Sequence, residues 1–343
     1  MVLGKDGTRI WDLKTMTQIQ DRPASAGIRG ATTAIAWTNL DDEPGEMFFF
    51  GTVMGYLVGW RKVSGQHCFH ETFCKRVVEP SEITALAFDA VSNRFAVSNR
   101  NGIVQVYDLA SSAEPRKVIS ISVRNFLPKS LLFGVMRGNE RELLAFGHSD
   151  GKIRTITGNL DIDNRLEQWE VGVHIGDAAI DTRRATVCID DIHSGGIIYR
   201  LDDHQRVKAL AVPSTTQEKR PRQVRFVDDS KAIVIGSDHG IVYIFDRRNG
   251  QITDKLVLGG KDWVQTLATT ECENIPTIIT AKSGDGLPDN DIIVWQKVVD
   301  RGRSDPSASE TLLSLVLLAT LVYAYQHWDV LMTVLKQRAV DLN

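Results

Sequence analysis

The chain has 343 residues, 43% apolar and 24% charged, which excludes a wholly disordered polypeptide. Lys plus Arg is 40 against 43 Asp plus Glu, a net charge of −3 that argues against a broadly basic nucleic-acid binder. Four cysteines in that length cannot make a disulfide scaffold.

The N-terminal stretch MVLGKDGTRIWD (1–12) has no apolar h-region and no small-residue cleavage site, so it does not read as a secretory signal. It is the first copy of a recurring pattern: an apolar stretch, a polar turn ending in Gly, then an alternating strand. Later copies are MFFFGTVMGYLVGWR (47–61), RFAVSNRNGIVQVYD (94–108), LLAFGHSDGKIRTIT (143–157), TVCIDDIHSGGIIYRLD (186–202) and AIVIGSDHGIVYIFD (232–246). The last, TIITAKSGDGLPDNDIIVWQ (277–296), carries Asn290 in place of the glycine. The turn residues Gly7, Gly55, Gly102, Gly151, Gly196, Gly240 and Asn290 are spaced 48, 47, 49, 45, 44 and 50 residues apart. Two short strands joined by a turn that needs positive φ form a β-hairpin, and Gly or Asn tolerates that φ. Two further strands fit between hairpins, for example RKVISISV (116–123) and SLLFGVM (130–136). Four strands per unit, repeated about seven times, is the signature of a propeller whose sheets stack because none can bury both faces alone.

At Trp11-Asp12 the chain resembles the WD40-repeat family, and Asp6 to Asp12 (DGTRIWD) is close to that family's third-strand consensus. Tyr107-Asp108, Phe245-Asp246 and Leu201-Asp202 are softer versions; Trp60-Arg61 and Trp295-Gln296 keep the aromatic and lose the acid. The family's Gly-His dipeptide is missing ahead of every first strand, and Gly147-His148 lies before a turn instead. The resemblance covers about residues 1–297. It implies a propeller that serves as a scaffold and is not an enzyme. The family's Asp–His–Ser/Thr–Trp tetrad cannot be carried over, so β-branched and aromatic packing is expected to hold the sheets. Strand counting predicts 26 strands where seven four-stranded units need 28. The expectation is an all-β, N-terminally incomplete seven-bladed ring; the alternative is a six-bladed ring with an N-terminal hairpin appended.

No motif in the body carries an obvious chemistry. Gly147-His-Ser149-Asp-Gly151 matches G-x-S-x-G but joins two expected strands, whereas a nucleophile elbow needs a strand–turn–helix. The acidic turn 285–291 and the Asp161-x-Asp163-Asn164 stretch lack the ligand order of a calcium loop. No cofactor, metal or small-molecule substrate is expected. The turns bearing His148, His193 and His239, the turn residue Arg100, and the basic cluster Lys219, Arg220 and Arg222 are expected on one face, by analogy with the family. A basic rim there suits an acidic peptide, a phosphorylated protein or lipid headgroups. Asp228-Asp229 and Arg183-Arg184 fall on the opposite face and read as ordinary surface charges.

The C-terminus differs from the body. Thr311 to Trp328 (TLLSLVLLATLVYAYQHW) is 18 consecutive uncharged residues, and its leucines and valines cover every face of a helix. At 1.5 Å per residue it spans about 27 Å, near the thin end of a bilayer core. Leu312, Leu318 and Leu321 would face lipid, with Tyr325 and Trp328 at the interface. The expected organisation is a propeller over 1–297, a polar linker over 298–310 and a transmembrane anchor over 311–335, with the propeller facing the cytosol. The expected function is a membrane-tethered protein–protein interaction scaffold. The alternative is a cytoplasmic subunit whose C-terminal helix packs on a partner protein.

Overall fold

The computed structural model describes residues 2–4, 7–20, 26–38, 46–62, 68–77, 81–109, 115–137, 140–157, 165–272, 275–283 and 292–297. They form 26 strands, the number counted from the sequence, in seven antiparallel sheets within Met1–Gln296. The first sheet is β1 (Val2–Gly4), β2 (Gly7–Asp12) and β3 (Thr17–Gln20), followed by the short helix α1 (Ala26–Arg29). The second is β4 (Thr32–Thr38), β5 (Met47–Thr52), β6 (Tyr56–Lys62) and β7 (Phe69–Arg76). The third is β8 (Ile83–Asp89), β9 (Arg94–Asn99), β10 (Ile103–Asp108) and β11 (Arg116–Ser122). The fourth is β12 (Pro128–Arg137), β13 (Glu140–Gly147), β14 (Lys152–Thr157) and β15 (Arg165–Glu170). The fifth is β16 (Ile175–Asp181), β17 (Thr186–Asp191), β18 (Gly195–Arg200) and β19 (Arg206–Ala211). The sixth is β20 (Val224–Val227), β21 (Ala232–Ile235), β22 (Ile241–Asp246) and β23 (Ile252–Val257). The seventh is β24 (Trp263–Cys272), β25 (Ile275–Ser283) and β26 (Ile292–Gln296).

Six sheets present their first strand, β4, β8, β12, β16, β20 or β24, to one axial channel of about 820 Å³. The first sheet does not: β1 pairs only with β2, and no described strand lies on its inner side. The channel is therefore walled by six blades, which corrects the expected seven and is closer to the alternative ring with an extra N-terminal sheet. The expected helix over 311–335 lies outside the described residues. Among the described residues no helix is long and apolar enough to cross a membrane.

The sheets stack through apolar clusters shared by consecutive sheets. The first and second share Ile10, Phe48, Phe50, Val58, Trp60 and Phe69. Between the second and third, Phe49 stacks on Phe95 at 4.8 Å, and within the third Phe95 stacks on its cross-strand partner Tyr107 at 5.0 Å. Such pairs each add about 0.5–1.5 kcal/mol beyond burial. Every residue of β17 is buried, because both faces of that strand are covered by neighbouring sheets. Cys68, Cys74 and Cys188 are free, and burial pushes the thiol of Cys188 well above its usual range, which keeps it inert.

Polar groups stitch the inner strands at the axis. The register skips one residue or two near the start of five inner strands, leaving Thr33, Thr84, Lys129, Gly176-Asp177 and Gln265 as bulges. All of these line the channel, as does Gln223 just before β20. Thr33 Oγ1 donates across to Ile83 O at 2.6 Å. Asp177 Oδ2 accepts from Val224 N at 3.2 Å and from Arg225 Nη1 at 2.5 Å. Gln265 Nε2 donates to Pro221 O at 2.9 Å, and Leu267 N donates to Gln223 Oε1 at 2.7 Å.

Gly55, Gly102, Gly151 and Gly240 occupy the turns with φ of 80, 79, 62 and 70°. In the fifth sheet the left-handed residue is Gly195, at φ 124°, and not the expected Gly196, which sits inside β18 opposite Asp190. Asn290 lies outside the described residues. A Cβ on Gly102 would press on the carbonyl oxygens of Val123 and Phe126. Gly102→Ala is therefore expected to lower stability by about 2 kcal/mol or more, read as a shift in the urea midpoint.

Candidate interaction face

In sheets two to six the turn between the second and third strands is hydrogen-bonded to the connection that leads into an inner strand. Arg100 N donates to Glu82 O at 2.9 Å, and His148 N to Leu127 O at 2.9 Å. Ile175 N donates back to His148 O at 3.1 Å, and Gly240 N to Asp262 O at 2.7 Å. These bonds bring turns and connections together as one rim of the ring.

Arg222 is buried, and it is not an open rim residue. Its guanidinium and backbone amide close on Asp190: N at 2.9 Å, Nε at 3.0 Å and Nη2 at 2.8 Å. Nη2 also donates to Asp191 O at 2.8 Å. Burial pushes the Asp190 carboxyl up, against the pull of the Arg222 charge and its hydrogen bonds. This pair clamps the fifth sheet's turn to the connection entering the sixth.

A second anchor organises the long connection between β19 and β20. Buried Asp238 accepts from Ser214 Oγ at 2.7 Å, Thr215 N at 2.9 Å and Thr216 N at 3.0 Å. His239 Nδ1 donates to Asp238 Oδ1 at 2.6 Å, which leaves Nε2 to accept from the Tyr243 hydroxyl at 2.8 Å. Burial works to raise the Asp238 carboxyl, but the bonds from His239, Ser214, Thr216 and Thr215 outweigh it. They hold the group far below the usual carboxylate range. Lys219 caps this loop, donating from Nζ to Ser214 Oγ at 2.7 Å and Thr216 O at 3.1 Å. Arg220 pairs with Glu218 at 2.7 Å and lies 5.6 Å over the Trp263 ring.

His148 and His193 are bridged by a third histidine that sequence reasoning missed. His174, in the connection before β16, contacts His148 at 6.4 Å and His193 at 5.6 Å between ring centroids, edge to face in both cases. His148 Nδ1 is bonded to Ile175 O at 2.9 Å. His239 belongs to the Asp238 anchor instead. No group of three or more ligating side chains that could hold a metal occurs among the described residues. Arg100 is ion-paired with Glu82 at 2.7 Å and keeps an exposed side chain. Ser149 sits in a strand–turn–strand between β13 and β14, so the G-x-S-x-G stretch is a blade turn. Leu312, Leu318, Leu321, Tyr325 and Trp328, and the acidic stretches at 161–164 and 285–291, lie outside the described residues.

On the opposite face, Arg183 pairs with Asp229 at 2.5 Å, and Arg184 Nη1 donates to Asp229 O at 3.3 Å. These charges meet between the turns of the fifth and sixth sheets and remain exposed, as surface charges.

The fold is a β-propeller. No family model matches the chain, and no curated relative matches it. Among solved structures it is similar to Sqt1 of Saccharomyces cerevisiae, with TM-score 0.55, 13% identity, and coverage of 73% of this chain and 68% of that one. It is similar to the computationally designed Ika8 protein, with TM-score 0.55, 17% identity, and coverage of 86% and 79%. It is also similar to Raptor of Chaetomium thermophilum, with TM-score 0.62 and 14% identity over 84% of this chain. There the chain spans 25% of Raptor's length. At these identities the likeness is one of fold.

Two substitutions test the anchors. Asp190→Asn leaves the buried Arg222 charge uncompensated and is expected to cost about 3–5 kcal/mol, read by urea unfolding. Asp238→Asn is expected to free residues 214–216. Amide exchange at Thr215 and Thr216 should then accelerate while β21 and β22 stay protected.

Proposed function

We propose that the protein is a non-catalytic scaffold. In this reading the rim that carries Arg100, Lys219, Arg220 and the His148–His174–His193 row receives an acidic segment of a protein partner. One observation carries this reading: His193, Lys219 and Arg220 stand on a turn and a connection that the Asp190–Arg222 and Asp238 anchors hold from below, while the turns of Arg100 and His148 are fixed by backbone bonds to Glu82 O and Leu127 O. Preorganised cationic groups lose little entropy on binding, and electrostatic complementarity raises association rates. The propeller neighbours support a scaffold role, since such folds serve widely as platforms. The linker 298–310 and the apolar segment 311–335 complete the proposal as a tether to a membrane, supported by the uncharged run of 18 residues.

Proximity labelling from the full-length chain tests the rim against the triple variant R100E/K219E/R220E. The expected outcome is loss of the wild-type neighbour set, with a melting temperature within a few degrees of wild type. An unchanged neighbour set would sink the rim assignment. Carbonate extraction tests the tether: full-length protein is expected in the pellet, and its release into the supernatant would remove the membrane from the account.

A further inference from the structure

The outer edge of β26 is the place where the repeated architecture is incomplete. In sheets two to six the third strand lies between two partners, and the fourth strand covers its outer edge. Those third strands are buried through their middles: Leu57 to Trp60 in β6, Val104 to Tyr107 in β10, Ile153 to Ile156 in β14. Their aromatics Trp60 and Tyr107, with Tyr199 and Phe245, are 1–7% exposed. In the seventh sheet β26 pairs with β25 alone, and no described strand pairs its other edge. None of its five residues is fully buried, although Ile292, Ile293, Val294 and Trp295 are as apolar as their counterparts. Trp295 packs inward on the cluster around Val264 and Leu267 and remains only half-buried.

The same interface, formed five times elsewhere in the chain, defines the occupant. The covering strands are 6–8 residues long and run antiparallel to the third strand. Four of the five bury one or two apolar residues and turn charges toward solvent: Phe69 in β7, Val118 and Ile119 in β11, Trp169 in β15 and Leu210 in β19 are buried, whereas β23 buries none. Opposite charges pair across that join, with Arg116 to Asp108 at 3.6 Å and Lys152 to Glu170 at 3.1 Å. An edge that offers unpaired backbone groups and a half-covered apolar face recruits a strand of this kind.

We infer that β26 is a strand-accepting edge, completed by an extended segment of a partner protein. That segment has six to eight residues, is charged on its solvent side with one or two large apolar residues turned inward, and pairs antiparallel with 292–296. This surface is separate from the turn rim, and it stands or falls independently of the acidic-segment reading.

Hydrogen exchange on the purified full-length chain tests it, with a synthetic peptide of residues 115–123 (PRKVISISV), a covering strand of this same protein, as the probe. The expected result is fast exchange at those amides of 292–296 that face away from β25, while 103–108 stay protected. The peptide at about 1 mM should slow the outer amides several-fold, and a scrambled peptide should not. Two results would overturn the inference. One is protection of both edges of β26 before peptide is added, which means the chain covers the edge itself. The other is fast exchange that the peptide does not alter.

Discussion

The structure depends on one constraint: sheets two to six are apolar on both faces, so each of them must be covered twice. β17 illustrates it, because all six of its residues are buried in a strand that no single layer could cover. Stacking the sheets radially meets the constraint, and the shared clusters between consecutive sheets are its product. Radial stacking also brings the inner strands together at the axis, where the bulges turn polar residues such as Thr33, Asp177 and Gln265 into the channel. Apolar packing therefore holds the blades, and polar staples set their spacing.

The same division organises the two faces. On one, Arg183 and Asp229 tie neighbouring turns directly. On the other, buried acids do the tying: Asp190 holds Arg222, and Asp238 holds the 214–216 segment. What remains at the second rim is a set of cationic and imidazole side chains on rigid supports. An interaction role follows more naturally from that arrangement than from the channel.

Much of the fold was legible in the sequence because its causes are local. A turn needing positive φ demands Gly, and an alternating strand demands its pattern, so the period and the strand number could be counted. The errors fall where the cause is not local. Gly195 takes the left-handed conformation beside Gly196, and two adjacent glycines carry no signal to separate them. Its neighbours Lys219 and Arg220 make Arg222 read as a surface cation, yet it enters the interior to meet Asp190, 32 residues away. His174 joins the other histidines only through the stacking of the fourth and fifth sheets. The blade number hinged on whether a strand lies inside β1, a matter of pairing and not of composition.

Native-state hydrogen exchange of β13, β17 and β21 against urea tests the central claim most directly. These strands belong to three consecutive sheets, each covered by the next. If mutual coverage sustains the ring, their slowest amides open together, with a common free energy and a common dependence on denaturant. Separate opening, each sheet with its own free energy and a small m-value, would contradict the account, because each sheet would then stand without its neighbours.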